Sequence, residues 1–494
     1  MELKTKFLKW SAGVPVAMLN QKTAEKIGAN TQGRILIKTT SKKPKELVAV
    51  VDIIKNHLVN ENEIAFSSEV KKRMNLKAGQ LVQINLFQPS PSLDLIKNKL
   101  NKKTLSQAQI SQIIDDIVDN SLSDPEIALF VSAMYEQGMN LQETKSLIKA
   151  ILKTGNRLSF DRKYVVDKHS IGGIPGNRTT PIVVAICAAA GLTFPKTSSR
   201  AITSAAGTAD VIETVADVEF SVSEINKIIK KTNACMVWGG SLDLVPADSK
   251  ILQIEKSLKI DPEAQLLASI MSKKLAVGSK YILIDIPYGR NAKITKHHAL
   301  HLKRKFENLG RYFNKKIRVV LTPGKEPIGN GVGPALELTD VVGVLNPKKG
   351  IPKDLRDKSL FLAGELLEMV GKAKRGKGKD LAEKILNSGE AFEKFKQIIK
   401  AQRGNLNRIK KAKFKEEILI KRNSRIKEIN NLKISNLAQV AGSPLDKSAG
   451  LYIHYHVGEK AKEGTKLLTI YAESKERLRD AIKLYKKSKP IRMK

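Results

Sequence analysis

Apolar positions in the first 87 residues fall in short, β-rich runs (ILIKTT, ELVAVVDII, LVQINLF) separated by turn residues, which predicts a small, mostly β domain over 1–87. The Pro- and Ser-rich stretch QPSPS at 88–92 reads as a linker. From 93 to 156 the spacing lengthens to the helical period, as in SQAQISQIIDDIVDN and LQETKSLIKAILKTG, with a helix start at Ser123 before Pro125. This is the first part of a helical domain. Over 160–345, strand-like runs (KYVVD, YILIDI, IRVVL) alternate with helical stretches (PIVVAICAAAG, ALHLKRKFENLG), the pattern of βαβ units around a mostly parallel sheet. Basic amphipathic helices are expected over 346–430, with GKAKRGKGKD as an exposed loop. The final segment, 431–494, combines strand-like GLYIHYHV and KLLTIYA with a terminal helix, ESKERLRDAIKLYKK, as a small α+β domain. The expected architecture is therefore an α/β multidomain chain. A helical domain and a mixed or parallel α/β domain form its centre, with small β-rich domains at both ends.

A length of 494 residues fits two to four domains, and 41% hydrophobic with 28% charged residues excludes wholesale disorder and fibrous classes. The longest nearly unbroken apolar stretch, Pro181–Phe194, falls short of the ~20 residues a membrane span requires. The basic N-terminus is not followed by an apolar signal core, so a cytoplasmic protein without a membrane partner is expected. The two cysteines, Cys187 and Cys235, are read as buried, reduced thiols. The net charge of +38 is compatible with nucleic acid, an anionic surface or acidic small substrates. Against nucleic acid stand the even spread of lysines, only 5% aromatic residues and the absence of a DNA- or RNA-binding signature. A solvated, lysine-rich surface is the plainer reading.

Three clusters carry candidate chemistry. In YVVDKHSIGGIPGNRTT, a strand ends at Lys168 and Ser170, then Gly172, Gly173 and Gly176 form a tight loop ahead of an apolar helix. Such a loop lets backbone N–H groups approach an anion, although neither a P-loop nor a dinucleotide fingerprint is present, and an ordinary strand-to-helix turn is the alternative. In PKTSSRAITSAAGTAD, the hydroxyls of Ser198, Ser199, Thr203, Ser204 and Thr208 accompany the Arg200 guanidinium, suiting phosphate or ribose oxygens, or else forming a solvated loop. In IDPEAQLLASIMSKK, Asp261 is placed either to cap a helix or, if burial raises its pKa, to donate a proton. Ser269 and Lys273 share one face of that helix. Lys293 follows the YILIDI strand, at the end where open α/β sheets bind ligands. The HHxxH of His297, His298 and His301 lacks a neighbouring acid and reads as a solvated helix face rather than a metal site. His454 and His456 alternate on an expected strand with a structural role. No GxSxG elbow supports hydrolase chemistry.

Together, KHSIGGIPGNRTT, KTSSRAITSAAGTAD, VWGGSLDLVPAD, DPEAQLLASIMSKKLAVGS and EPIGNGVGPALE resemble the thymidine phosphorylase family of nucleoside phosphorylases, and most closely its archaeal-type AMP phosphorylase branch. The resemblance runs from about Leu93 to the C-terminus, and the extra N-terminal β domain is itself a feature of that branch, linked there to assembly into large oligomers. It implies a homo-oligomer, dimer or larger, with helical and α/β domains flanking a cleft. The implied reaction is attack of orthophosphate on a nucleoside 5′-monophosphate (AMP, also CMP or UMP), giving free base and ribose 1,5-bisphosphate. It needs no cofactor and no metal; orthophosphate is a co-substrate.

By the same resemblance Gly173, Ser199, Arg200, Ala201, Ile202, Thr203, Ser204, Thr208, Ser269 and Lys293 match nucleotide-binding positions. Asp261 matches the proton donor to the departing base, Lys168, Ser170 and Thr208 match phosphate-holding positions, and Ser269 and Lys273 meet the base. Ile254 stands about where pyrimidine-specific members carry an arginine, which favours the nucleotide branch, and Asn330 stands where relatives often have histidine. The alternatives are a thymidine or other pyrimidine nucleoside phosphorylase, or a basic RNA-associated protein that kept a dead phosphorylase fold. Anthranilate phosphoribosyltransferase shares the architecture by family analogy, but the acidic metal-binding pair its chemistry calls for is not found.

Overall fold

In the N-terminal segment, side chains alternate inward and outward along each strand, as in Glu2–Phe7 and Arg34–Thr39, so every strand has one face to bury. Six strands solve this by closing into a barrel. Their order is Glu2–Phe7, Glu63–Phe66, Val16–Asn20, Glu46–Ile54, Arg34–Thr39 and Leu81–Leu86, the last pairing back onto the first. Leu3, Leu19, Ile35, Ile37, Ile64, Phe66 and Ile84 fill the interior. The computed structural model describes residues 1–88, 90–201, 204–346 and 351–494. It divides into two units, Met1–Thr154 with Pro246–Ala268, and Gly155–Val245 with Ser269–Lys494.

The first unit continues from the barrel into the helices Ser92–Leu100, Gln107–Val118, Asp124–Gln137 and Leu141–Lys153. Ser106, Ser123 and Asn140 each start a helix through a capping box. At Ser123, the position expected from sequence, the Ser123 N–H donates to Glu126 Oε2 at 2.6 Å. Ser123→Ala should lower the stability of this unit by about 1 kcal/mol, read as a shift in its urea midpoint. Lys99 and Glu143 form an ion pair of 2.9 Å inside the bundle, and Glu143 also accepts the Leu105 N–H at 2.9 Å. Pro246–Ala268 lies within the stretch read from sequence as α/β, yet it belongs to this unit. The reason is visible in the helix Pro246–Leu258, which packs on Asp124–Gln137 and Gln107–Val118. Its Lys250 Nζ donates to the Ile117 and Val118 carbonyls (2.6 and 3.2 Å), which end the second of those helices.

The second unit contains parallel strands in the order Lys316–Pro323, Tyr281–Tyr288 and Val166–Ser170, and a parallel pair, Phe194–Ser198 with Ala234–Trp238. An isolated parallel bridge, Val165 to Thr193, joins the two sets. The helix Thr179–Ala189, apolar after its two opening threonines, is buried through Ala188. Against it pack the helices Lys353–Met369, Gly378–Asn387 and Glu390–Ala401. The helical pattern expected through 430 stops there. Phe414–Leu419 and Ser424–Ile429 are strands, because FKEEIL and SRIKEI find antiparallel partners in Lys466–Ala472 and Ile491–Met493. Together with the helices Asn431–Ala441 and Lys475–Ser488 they enclose a separate core of Ile426, Ile434, Leu451 and Ile470. No helix among the described residues is long and apolar enough to cross a membrane.

Candidate functional site

Strand Val166–Ser170 pairs with Tyr281–Tyr288 so that Lys168 sits opposite Leu283, with its side chain wholly buried. Its Nζ donates to Thr179 Oγ1 at 2.8 Å and reaches Thr180 Oγ1 at 3.4 Å, the first residues of the buried helix. Burial pushes the Lys168 ammonium down to about 7, opposed by Asp285. Asp285 in turn pairs with Lys358 at 3.0 Å and accepts the Thr322 hydroxyl at 2.6 Å. Burial would raise this carboxyl, but the Lys358 and Lys168 cations hold it below its ordinary value.

Between Lys168 and the helix the chain turns through Gly172, Gly173 and Gly176, all with positive φ (88°, 87° and 67°). A Cβ on Gly173 would lie 2.8 Å from the Lys293 Cβ, and one on Gly176 would lie 2.3 Å from the Ile328 carbonyl oxygen. The loop therefore lies directly against Lys293, which is exposed. Asn177 Nδ2 donates weakly to Ser170 Oγ at 3.4 Å. The result is a glycine loop, a buried cation and a helix N-terminus at one strand end, a combination that accommodates an anion.

The hydroxyl-rich loop closes on Asp210, whose Oδ2 accepts the N–H groups of Ala201 (2.7 Å) and Gly207 (2.8 Å). Ile202 and Thr203 lie outside the described residues. Ser199 is exposed, whereas Ser204 donates to the Ala206 carbonyl at 3.0 Å. Arg200, expected to offer its guanidinium to phosphate or ribose, closes its fork on Glu213 (2.6 and 2.7 Å) and also reaches Glu219 at 2.9 Å. It lies over the Trp238 ring, 4.8 Å from the centroid. Thr208 is buried and accepts from Arg178 Nη1 at 2.9 Å.

Helix Glu263–Ala276 begins after Pro262, whose carbonyl accepts the Leu266 N–H, so Asp261 stands one residue before the cap position rather than in it. Asp261 is exposed. Ser269 and Lys273 do share a helix face: Lys273 Nζ donates to Ser269 Oγ at 2.9 Å. The next residue, Lys274, is wholly buried and pairs with Asp167 at 2.7 Å, which fastens this end of the helix beside Lys168. Lys196 Nζ also reaches Asp167 (3.4 Å) and donates to the Lys168 carbonyl (3.1 Å). Desolvation pushes the Lys274 ammonium well down, against the pull of Asp167. His169 is likewise held well below its usual pKa by burial and the surrounding lysines.

Sequence reasoning missed Arg178, Asp210 and the Asp167–Lys196–Lys274 cluster. Arg178 stood inside the quoted NRTT, where a charged residue immediately before a buried helix was the available signal. Ile254, in place of an arginine, is buried in the first unit. Asn330 bridges Tyr452 (3.1 Å) and His456 (3.1 Å), and His456 also meets Glu326 at 3.2 Å. His454 and His456 lie beyond the strand Gly450–Ile453, not on it, and His454 instead meets Thr469 at 2.9 Å. The His298 and His301 rings lie 6.3 Å apart, tilted by 48°, and no metal-binding cluster of His, Cys, Asp or Glu occurs among the described residues. Both cysteines are buried and free, with their thiols pushed up by burial, Cys235 to about 12.

Comparison with known proteins matches three successive domains. Residues 93–155 match the helical bundle domain of a glycosyl transferase family, 162–392 its a/b domain, and 425–492 the pyrimidine nucleoside phosphorylase C-terminal domain. The chain is 43% identical over 503 residues to an AMP phosphorylase of Thermococcus kodakarensis, covering 100% of this chain and 98% of that protein. It is 41% identical over 493 residues to an AMP phosphorylase of Methanococcus vannielii, covering 99% and 97%. A putative thymidine phosphorylase of Legionella pneumophila is 40% identical over 448 residues, covering 90% of this chain and 86% of that protein. Among solved structures, anthranilate phosphoribosyltransferase from Thermus thermophilus shares the fold, with a TM-score of 0.52 at 18% identity over 63% of this chain and 100% of that one. With relatedness of this extent along its whole length, the chain belongs to the AMP phosphorylase family of pentosyl-transferring enzymes.

Proposed function

We propose that the protein cleaves AMP with orthophosphate, releasing adenine and ribose 1,5-bisphosphate, and that CMP and UMP are also substrates. The observation that carries this reading is the buried Lys168 beneath a three-glycine loop, in a chain related to AMP phosphorylases from end to end. Cleavage of the C1′–N bond passes through an oxocarbenium-like state, so the site has to hold an anionic nucleophile at C1′ and protonate the departing base. Lys168, Ser170 and Thr208 hold orthophosphate. Gly173, Ser199–Ser204, Ser269 and Lys293 bind the nucleotide, Lys273 meets the base with Ser269, and Asp261 supplies the proton. The protein works as a cytoplasmic homo-oligomer.

The test is release of free base by the purified protein from AMP, CMP and UMP against adenosine, uridine and thymidine at fixed orthophosphate. Reaction of the monophosphates alone supports the reading; reaction of nucleosides alone overturns it. Lys168→Ala should raise KM for orthophosphate roughly tenfold or more, the worth of a charge-assisted hydrogen bond in a buried site. Because Lys168 titrates at about 7, it is a cation below that pH and neutral above it. The ratio of variant to wild-type phosphate KM should therefore be largest near about pH 6 and shrink as pH rises through 7. A ratio that is flat with pH would remove Lys168 as the titrating partner of phosphate.

A further inference from the structure

We infer that Arg178 is a positioning residue that presets the Thr208 hydroxyl as a hydrogen-bond donor to orthophosphate, acting through the threonine and not on the anion. The inference rests on the proposed phosphate role of Thr208. All three arms of the guanidinium are engaged. Nη1 donates to Thr208 Oγ1 at 2.9 Å, Nη2 to the Ala206 carbonyl at 2.8 Å, and Nε to Glu337 Oε2 at 2.7 Å. Glu337 is buried and its other oxygen accepts the Gly333 N–H at 3.1 Å, so the arm that holds Arg178 is itself fixed.

A hydroxyl carries one proton and can accept on its lone pairs. With an Arg178 N–H on the Thr208 oxygen, the threonine's own proton is turned away from the arginine. Among the described residues no acceptor takes that proton, which leaves it for a ligand. The same logic operates across the loop, where Lys168 donates to the Thr179 and Thr180 hydroxyls. Each cation thus turns hydroxyls into donors, and an anion is the complement of such a set. Arg178 also immediately precedes the helix Thr179–Ala189, while Thr208 opens the short helix Thr208–Ile212. One side chain therefore sets the spacing between the glycine loop and the hydroxyl loop. A lysine could supply the charge but not the planar fork that holds both Thr208 and Ala206.

The experiment compares Arg178→Lys, Thr208→Val and the double variant, with KM measured separately for orthophosphate and AMP. Each single change should raise phosphate KM roughly tenfold, the loss of one charge-assisted or ligand hydrogen bond, and by a clearly larger factor than it raises AMP KM. The double variant should stay within about twofold of Thr208→Val alone, because Arg178 has no route to phosphate once the hydroxyl is gone. Multiplying effects, or a parallel rise in both KM values, overturn the inference while leaving the phosphate site intact. A Thr208→Val enzyme with unchanged phosphate KM overturns the phosphate role of Thr208 itself, and the inference with it. If Arg178→Lys does not fold, Glu337→Gln serves instead. It should raise phosphate KM several-fold with Thr208 present and have no effect on phosphate KM in the Thr208→Val background, and an equal rise in both backgrounds refutes the inference.

Discussion

Replacing Asp167 by alanine should destabilise the α/β unit by about 3–5 kcal/mol, the usual cost of removing one partner from a buried ion pair. Asp167 is completely buried and answers two lysines, Lys274 at 2.7 Å and Lys196 at 3.4 Å, besides accepting the Lys168 N–H at 2.7 Å. Without it, two ammonium groups and a backbone donor remain in an apolar interior with no anion to face. Either the lysines give up their protons or water enters the strand end. Asp167→Asn should cost less, since an amide oxygen still accepts one hydrogen bond. Chemical unfolding followed by far-ultraviolet dichroism tests both variants, and a change under about 1 kcal/mol for the alanine variant would show that the Asp167 ion pairs do not hold this strand end.

A still larger effect, on rate and not on stability, is expected at Asp261. An asparagine there cannot protonate a departing base, so Asp261→Asn should lower kcat by about 10²–10⁴-fold, the range for loss of a general acid. KM for AMP should change by less than about twofold. Because Asp261 is exposed and stands ahead of the helix cap, the melting temperature should fall by far less than for Asp167→Ala. Steady-state rates with saturating AMP and phosphate decide the matter: an unchanged kcat removes Asp261 as the acid.

Much of this was legible in the sequence because it rests on local patterns. The helix start at Ser123 follows from a hydroxyl, a proline and a glutamate at fixed spacing, and the strand Tyr281–Tyr288 from a β-rich apolar run broken only by Asp285. Lys273 and Ser269 meet because four residues make about one helical turn. What escaped depends on contacts distant in sequence. The charge alternation of FKEEIL and SRIKEI resembles an exposed helix until the partners Lys466–Ala472 and Ile491–Met493 are known. Arg200 looked available because Glu213 and Glu219, which engage it, lie well beyond the loop that carries it. Asp-Pro is a good helix-opening pair and so suggests a cap at Asp261, but Pro262 carries the first helical carbonyl acceptor. Arg178 gains its meaning only from Glu337 and Thr208.

The closed N-terminal barrel limits how this protein can grow into something larger. A sheet whose first and last strands pair with each other offers no row of unpaired backbone groups to a second chain. Strand addition, the cheapest route by which β domains join, is therefore unavailable to it. Any assembly made through this domain has to be built from side chains on its outer surface. Its affinity and geometry are then open to adjustment one surface residue at a time, without disturbing the hydrogen bonds that hold the barrel itself.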